Sequence, residues 1–295
     1  MDNQTTAHSE YGTLHTVFIK RVEDAMISQE KADQEWEDLH FTGRPDYPEA
    51  VAEYALFEQA LRASGAHIQY LPSDDSVTMD SMYCRDAAIA TDGGMILCHM
   101  GKVQRRPESE AERRAFEAAG IPVLGAITAP GTLEGGDVAW LDAHTLAVGR
   151  TYRTNEEGIR QLKHYLEPLG VAVLVYALPH YKGPSDVFHL MSVFSPVDKD
   201  LAVVYSPLMP IPFREELLRR GYHLVEVPTE EFEMACNVLA IAPRECLMLD
   251  GYPLTKAALE AAGCRVWTYP GTEISAKGGG GPTCMTRPIW RIRDI

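Results

Sequence analysis

Four times along this chain, a short apolar strand, a tight turn, a second apolar strand and a helix follow one another in the same order. The first unit opens at Asp86, with strand AAIAT, turn DGG, strand MILCHM and a helix through ESEAERRAFEAAG. The second opens at Asp137 with VAWL, DAH and TLAVG before NEEGIRQLKHYLEPLG. The third opens at His189 with LMSVFSPV, DKD and LAVVYS before FREELLRRG, and the fourth at Asn237 with VLAIA, PRE and CLMLD before PLTKAALEAAG. Glycine closes each helix, as it commonly does. The strand pairs are apolar or β-branched and are bounded by turn formers.

The anchors Asp86, Asp137, His189, Asn237 and Cys284 recur about every fifty residues, a period of bladed or solenoid architectures. The fifth unit is split. MTRPIW after Cys284 supplies its first strand, while HTVFIKR and the helix through PEAVAEYALFEQALRASG supply the rest from the N-terminal side. Joining the two in one unit would remove exposed sheet edges. The expectation is a single domain over residues 1–295, made of five αβ units around a pseudo-fivefold axis. A doubly wound α/β sheet is the alternative, but it places single strands between its helices rather than pairs. A ring of units gathers the starts of the first strands at its centre. Asp86, the segment from Glu134 to Asp137, His189 and Cys284 are therefore expected to converge.

Composition narrows what such a cleft could serve. The formal net charge of −15 disfavours nucleic acid as a partner, because phosphate binding needs basic patches. It suits a cationic substrate, although net charge speaks first to solubility. The six cysteines, Cys84, Cys98, Cys236, Cys246, Cys264 and Cys284, form no C-x-x-C pair, so zinc and redox motifs lack support. No H-E-x-x-H motif occurs, and neither a metal nor a cofactor is expected. The opening MDNQTTAHSEYG has no apolar core of a signal peptide, and no apolar run is long enough to span a bilayer. The reading is a cytoplasmic protein with reduced thiols, not attached to membranes, whose oligomeric state is open and compatible with a homo-oligomer.

Cys284 follows KGGGGPT. A glycine run is entropically costly and marks a place where backbone must approach something closely. An arbitrary cysteine is more often a small buried hydrophobe, but the glycines and the repeat position favour a nucleophile here. His189 shares that repeat position. With an ordinary pKa of about 6.5, histidine donates and accepts protons near neutrality. In EGGD, two glycines let the backbone turn sharply while Glu134 and Asp137 both face a cleft; the plainer reading is a solvated turn. Asp86 opens an apolar strand, where an acid is unusual, and could alternatively pair with Arg85. Arg106 and Arg153 could each hold a substrate carboxylate by two hydrogen bonds. The stretch from Trp36 to Tyr47 is a candidate lid by composition.

Together, Arg85-Asp86, Glu134-Gly135-Gly136-Asp137, Arg153-Thr154-Asn155, His189-Leu190 and Gly280-Gly281-Pro282-Thr283-Cys284-Met285-Thr286 resemble the guanidino-group-modifying superfamily. That superfamily comprises arginine deiminases, dimethylarginine dimethylaminohydrolases and amidinotransferases. The resemblance runs from about Asp80 to the end of the chain. It implies the five-bladed αβ-propeller, or pentein, fold, in agreement with the repeat. Within the superfamily the chain looks most like the dimethylarginine dimethylaminohydrolase branch, whose pattern Asp80 and Arg153 also match.

The resemblance implies a hydrolase in which Cys284 attacks the guanidinium carbon. His189 would protonate the departing amine and then activate water against the thiouronium. Glu134 would orient His189 or bind a guanidinium nitrogen, and Asp86 would hold the cation. Arginine or an arginine-like compound would yield a citrulline-type product. Two departures bear on the substrate: Met191 stands where deiminases carry a second acid, and Arg85 stands where the hydrolase branch carries one. An amidinotransferase passing the group to an amine acceptor is the second reading. A non-catalytic binding protein of the same fold is the third, and the Cys, His and Glu together argue against it.

Overall fold

The computed structural model describes residues 6–292. Its fifteen strands among the described residues form five three-stranded sheets. One sheet holds β3 (Ala88–Thr91), β4 (Gly94–Leu97) and β5 (Val123–Ala126). The next holds β6 (Val138–Asp142), β7 (Thr145–Arg150) and β8 (Ala172–Ala177). The third holds β9 (Phe194–Asp198), β10 (Leu201–Val204) and β11 (His223–Glu226), and the fourth β12 (Val238–Ala242), β13 (Glu245–Leu249) and β14 (Arg265–Tyr269). The last joins the two ends of the chain: β15 (Arg287–Ile292) pairs antiparallel with β1 (Thr13–Ile19), which pairs parallel with β2 (His67–Tyr70). This is the five-bladed αβ-propeller expected from the repeat, with its fifth blade closed by N- and C-terminal segments.

In every blade the first two strands are antiparallel, and the third lies parallel to the second. A parallel neighbour needs a crossover, and the blade helix supplies it. These helices are Tyr47–Ala63, Glu108–Ala118, Glu156–Leu166, Ile211–Arg219 and Pro253–Ala261. Local chemistry starts them. Asn155 accepts a hydrogen bond from the Gly158 amide, and Asp46 accepts one from the Glu49 amide. The third strands are absent from the sequence reading. Each is short, and β2, β5, β8 and β11 are partly exposed along their length, so none shows the continuous apolar run of an inner strand. The stretch read as one strand from Leu190 also divides: Leu190–Ser192 is a 3-10 turn, and the strand begins at Phe194.

Burial rises toward the axis. The first strands β3, β6, β9 and β12 are buried almost throughout. Side chains of the repeat anchors brace neighbouring blades there. Asp86 Oδ1 accepts a hydrogen bond from the Gly136 amide (2.8 Å), Asp137 Oδ1 from the Leu190 amide (3.1 Å), and Asn237 Oδ1 from the Thr283 amide (3.1 Å). Each is an acceptor at one blade's start capturing an N–H at the start of the next. This gives the recurrence of Asp and Asn a mechanical reason, since buried amides need partners.

Candidate active site

The glycines bring backbone close to side chains that would otherwise collide with a Cβ. A Cβ on Gly136 would sit 2.4 Å from His189 Nδ1, and one on Gly280 would sit 2.4 Å from the Tyr83 ring. At Gly281 it would sit 2.5 Å from Asn237 Cγ. Contacts this short exclude any side chain at those positions. The glycine-rich segment therefore packs onto Tyr83 and Asn237 and delivers Cys284 to the centre of the ring.

One cleft at the axis is lined by Cys284, His189, Asp86, Asp80, Arg153 and Asn237. Cys284 is half-buried, and Asn237 Nδ2 donates a hydrogen bond to its Sγ at 3.1 Å. The Asn237 amide orientation is fixed independently, because Oδ1 must accept from the Thr283 N–H. Burial first, and the Asp86 carboxylate second, push the Cys284 thiol up to about 11, while the Asn237 hydrogen bond opposes them.

His189 Nε2 lies 2.8 Å from Glu134 Oε2. Glu134 is completely buried and also accepts the Lys102 backbone N–H through Oε1 at 2.9 Å. Arg153 Nη1 stands 3.4 Å from both Glu134 oxygens. Burial alone would raise the Glu134 pKa, but His189 and Arg153 outweigh it and hold the carboxyl well below the usual range. The converse applies to the imidazole. Burial would lower its pKa, yet Asp137, Asp86 and Glu134 together raise it to about 9. The pair is thus a buried imidazolium–carboxylate at neutral pH.

Asp86 lines the cleft, but its ion partner is not Arg85. Arg105 Nη1 donates to Asp86 Oδ2 at 2.7 Å, whereas Arg85 turns away to Glu10 at 2.8 Å. Arg105 also donates to both oxygens of Glu108 and to the Tyr83 carbonyl. Asp80 Oδ2 accepts from Lys102 Nζ at 2.6 Å. Arg105 and Lys102, which the sequence reading missed, are cleft residues. Their signal was the basic run KVQRR, in which 3-10 geometry at Val103–Arg105 points the first arginine inward.

Two expectations are corrected. Arg106 is exposed and absent from the cleft lining; its Nε reaches only the Met100 carbonyl at 3.4 Å. Asp137 is fully buried but outside the cleft lining. Its Oδ2 accepts from the Thr151 hydroxyl at 2.6 Å and its Oδ1 from Leu190 N, so it is a brace between blades. Burial raises its pKa to about 6. From the stretch 36–47, Leu39, His40 and Thr42 do line the cleft. Lys102 Nζ donates to the Leu39 carbonyl at 2.8 Å, and Thr42 N to the Lys277 carbonyl at 2.8 Å.

Asp86, Glu134 and His189 place ligand-type atoms within 4.8 Å of one another, a spacing that could admit a cation. Those atoms are already engaged with one another or with Arg105, and that arginine and a protonated His189 put positive charge beside them. What the arrangement offers is a thiol, an imidazolium held by a carboxylate, and acids facing the same cleft. This set serves nucleophilic attack on a cationic carbon.

A family model for N,N dimethylarginine dimethylhydrolase, eukaryotic, matches residues 29–291. The N(G),N(G)-dimethylarginine dimethylaminohydrolase of Streptomyces coelicolor is 30% identical over 219 residues, covering 74% of this chain and 78% of the relative. Its counterpart in Pseudomonas aeruginosa is 28% identical over 244 residues, covering 83% of this chain and 90% of the relative. A solved structure of a mutant Pseudomonas aeruginosa enzyme with citrulline superposes with a TM-score of 0.77 at 24% identity, over 93% of this chain and 98% of the other, and shows the same fold. No helix among the described residues is long and apolar enough to cross a membrane. The chain belongs to the dimethylarginine dimethylhydrolase family, and it is a hydrolase of guanidino carbon–nitrogen bonds.

Proposed function

We propose that this enzyme hydrolyses arginine or an N-substituted arginine through a covalent thiouronium on Cys284, with His189 as acid and base. The observation that carries the reading is the shared cleft: Cys284, His189 and Asp86 line it, and Glu134, buried behind it, holds His189 at 2.8 Å, although the four come from four different blades.

In this reading the guanidinium sits between Asp86 and Cys284. Its positive charge offsets the burial and the carboxylate that hold the thiol near 11, so the thiolate forms mainly when substrate is present. Cys284 Sγ bonds to the central carbon. As the carbon–nitrogen bond to the departing amine or ammonia breaks, the imidazolium of His189 supplies the proton that nitrogen needs. The now neutral imidazole takes a proton from water, which adds to the same carbon. The carbon–sulfur bond then breaks as the added hydroxyl gives its remaining proton to solvent or to the departed amine, leaving a ureido product, the thiolate and a recharged His189. Glu134 holds the ring in place and stabilises its charged form.

Arg153 is a cleft arginine that could take a substrate carboxylate, whereas Arg105 has committed its donors to Asp86, Glu108 and Tyr83. Asp80, tied to Lys102, and Met191 complete a pocket with few unpaired acids. The blades act together as one catalytic domain over 1–295. Six free cysteines support a reducing, cytoplasmic setting.

The test is a panel of guanidino compounds with products identified by mass, run on the native enzyme and on Cys284→Ser. A citrulline-type product from the native enzyme, a transient adduct on Cys284, and turnover lost by orders of magnitude in the variant are expected. Full activity in Cys284→Ser would overturn the reading. Label passing from arginine to glycine or ornithine would replace hydrolysis by amidino transfer.

A further inference from the structure

A second cavity lies outside the cleft, between β1 and β2 of the closing blade and the helix Glu108–Ala118 of the next. Its walls include Phe18, Leu71, Val77 and Ala115, and two charged side chains, Lys20 and Glu112, face it. Lys20 is 2% exposed and Glu112 3%. Among the described residues, Lys20 makes neither a hydrogen bond nor an ion pair within 4 Å, and Glu112 Oε2 is buried without a hydrogen-bond partner. The other charged groups on the wall are spent: Asp74 holds Arg114, and Glu108 holds Arg105.

An ammonium and a carboxyl held largely out of water on one cavity wall without hydrogen-bond partners are costly, and native proteins rarely leave such groups so. The active-site chemistry uses neither. A ligand that meets both must carry an anionic and a cationic group on a short frame, with an aliphatic part for the apolar wall.

We propose that this cavity is a binding site for a small aliphatic α-amino acid, with its carboxylate on Lys20, its ammonium on Glu112 and its side chain against Phe18, Leu71 and Val77. The ionisation of the two groups agrees. Burial lowers the Lys20 pKa and raises that of Glu112, and a zwitterion reverses both effects by giving each group an opposite charge. The site is independent of the guanidino chemistry proposed above. It is nevertheless close to it in bonding: Glu108 on the cavity wall holds Arg105, and Arg105 holds Asp86.

The test is calorimetric titration of the whole enzyme with L-leucine, isovalerate and isoamylamine, before and after alkylation of Cys284 with iodoacetamide. Saturable leucine binding that survives alkylation is expected, with isovalerate and isoamylamine each binding more weakly. Lys20→Met should weaken leucine binding at least about tenfold, as loss of a charge-assisted hydrogen bond does. Glu112→Gln should weaken leucine binding but leave that of isovalerate unchanged. Neither residue belongs to the catalytic set, so turnover of the guanidino substrate reports that the variants are folded. No saturable binding in the native enzyme, undiminished binding in Lys20→Met, or loss of binding on alkylation would each overturn the proposal.

Discussion

The side-chain amide of Asn237 donates to Cys284 Sγ at 3.1 Å while accepting from the Thr283 backbone N–H at 3.1 Å, so one residue both positions the Cys284 loop and favours the thiolate form of the proposed nucleophile. Asn237→Asp separates these tasks. It keeps an oxygen for the Thr283 amide but replaces the donor with a carboxylate beside sulfur. The thiol pKa should rise further, and at fixed pH each unit reduces the thiolate about tenfold. Iodoacetamide labelling of Cys284 should slow accordingly while thermal stability holds. Equal labelling rates would remove Asn237 from this role.

Asp86→Asn should move two readouts in opposite directions. Neutralising Asp86 removes one cause of the raised Cys284 pKa, so labelling of the free enzyme should speed up. It also removes the carboxylate proposed to hold the guanidinium, a charge-assisted contact of roughly 1.5–3 kcal/mol, so kcat/KM should fall by about tenfold or more. Faster labelling with unchanged kcat/KM would take Asp86 out of substrate binding.

The pH dependence of turnover tests the imidazolium. A general acid with a pKa of about 9 in the free enzyme should give kcat/KM an alkaline limb near that pH. Glu134→Gln removes one of the acids that favour the charged ring, so the limb should move to lower pH by roughly 1–3 units. Stability follows the same signs. The raised His189 pKa contributes stability that is complete below its unfolded value of about 6.5 and lost as pH rises through about 9. The depressed Glu134 pKa contributes stability above its unfolded value of about 4.3, lost as pH falls below it. Denaturant titrations across pH should show both slopes in the native enzyme and neither in Glu134→Gln, apart from the residual effect of Asp86 and Asp137 on the ring.

Asp137 separates a brace from a ligand. Asp137→Ala leaves the buried Leu190 N–H without an acceptor and should cost about 1–3 kcal/mol of stability. Asp137→Asn keeps the oxygen and should restore most of it, with KM for the guanidino substrate unchanged. A large rise in KM for Asp137→Asn at intact stability would return this residue to substrate binding.

The ring of blades was legible because a paired-strand period is long-range information written in local pattern. AAIAT–DGG–MILCHM and its successors show it without any knowledge of contacts. The third strands were not legible, since half-exposed edges such as β8 mix apolar and polar positions. Cys284, His189 and Asp86 could be brought together from their repeat positions, and Glu134 through the segment that ends at the anchor Asp137. Which arginine of the Arg105–Arg106 pair faces inward could not, because one residue's rotation in a 3-10 turn decides it. Nor could the partner of Arg85, since Glu10 lies in the opening segment and reaches it only once the ring has closed.

The closing blade also sets when the loop that carries Cys284 is fixed at both ends. β15 follows Cys284 and takes its place by pairing with β1, the first strand among the described residues. During synthesis, four blades and most of the cleft could be built while β1 waits with one edge open, so its apolar run TVFI is the segment a premature chain would offer to neighbours. Without β15 on β1, the loop that packs onto Tyr83 and Asn237 would be anchored from its N-terminal side alone. The pairing of β15 with β1 thereby fixes the backbone just beyond Cys284 to the far end of the ring.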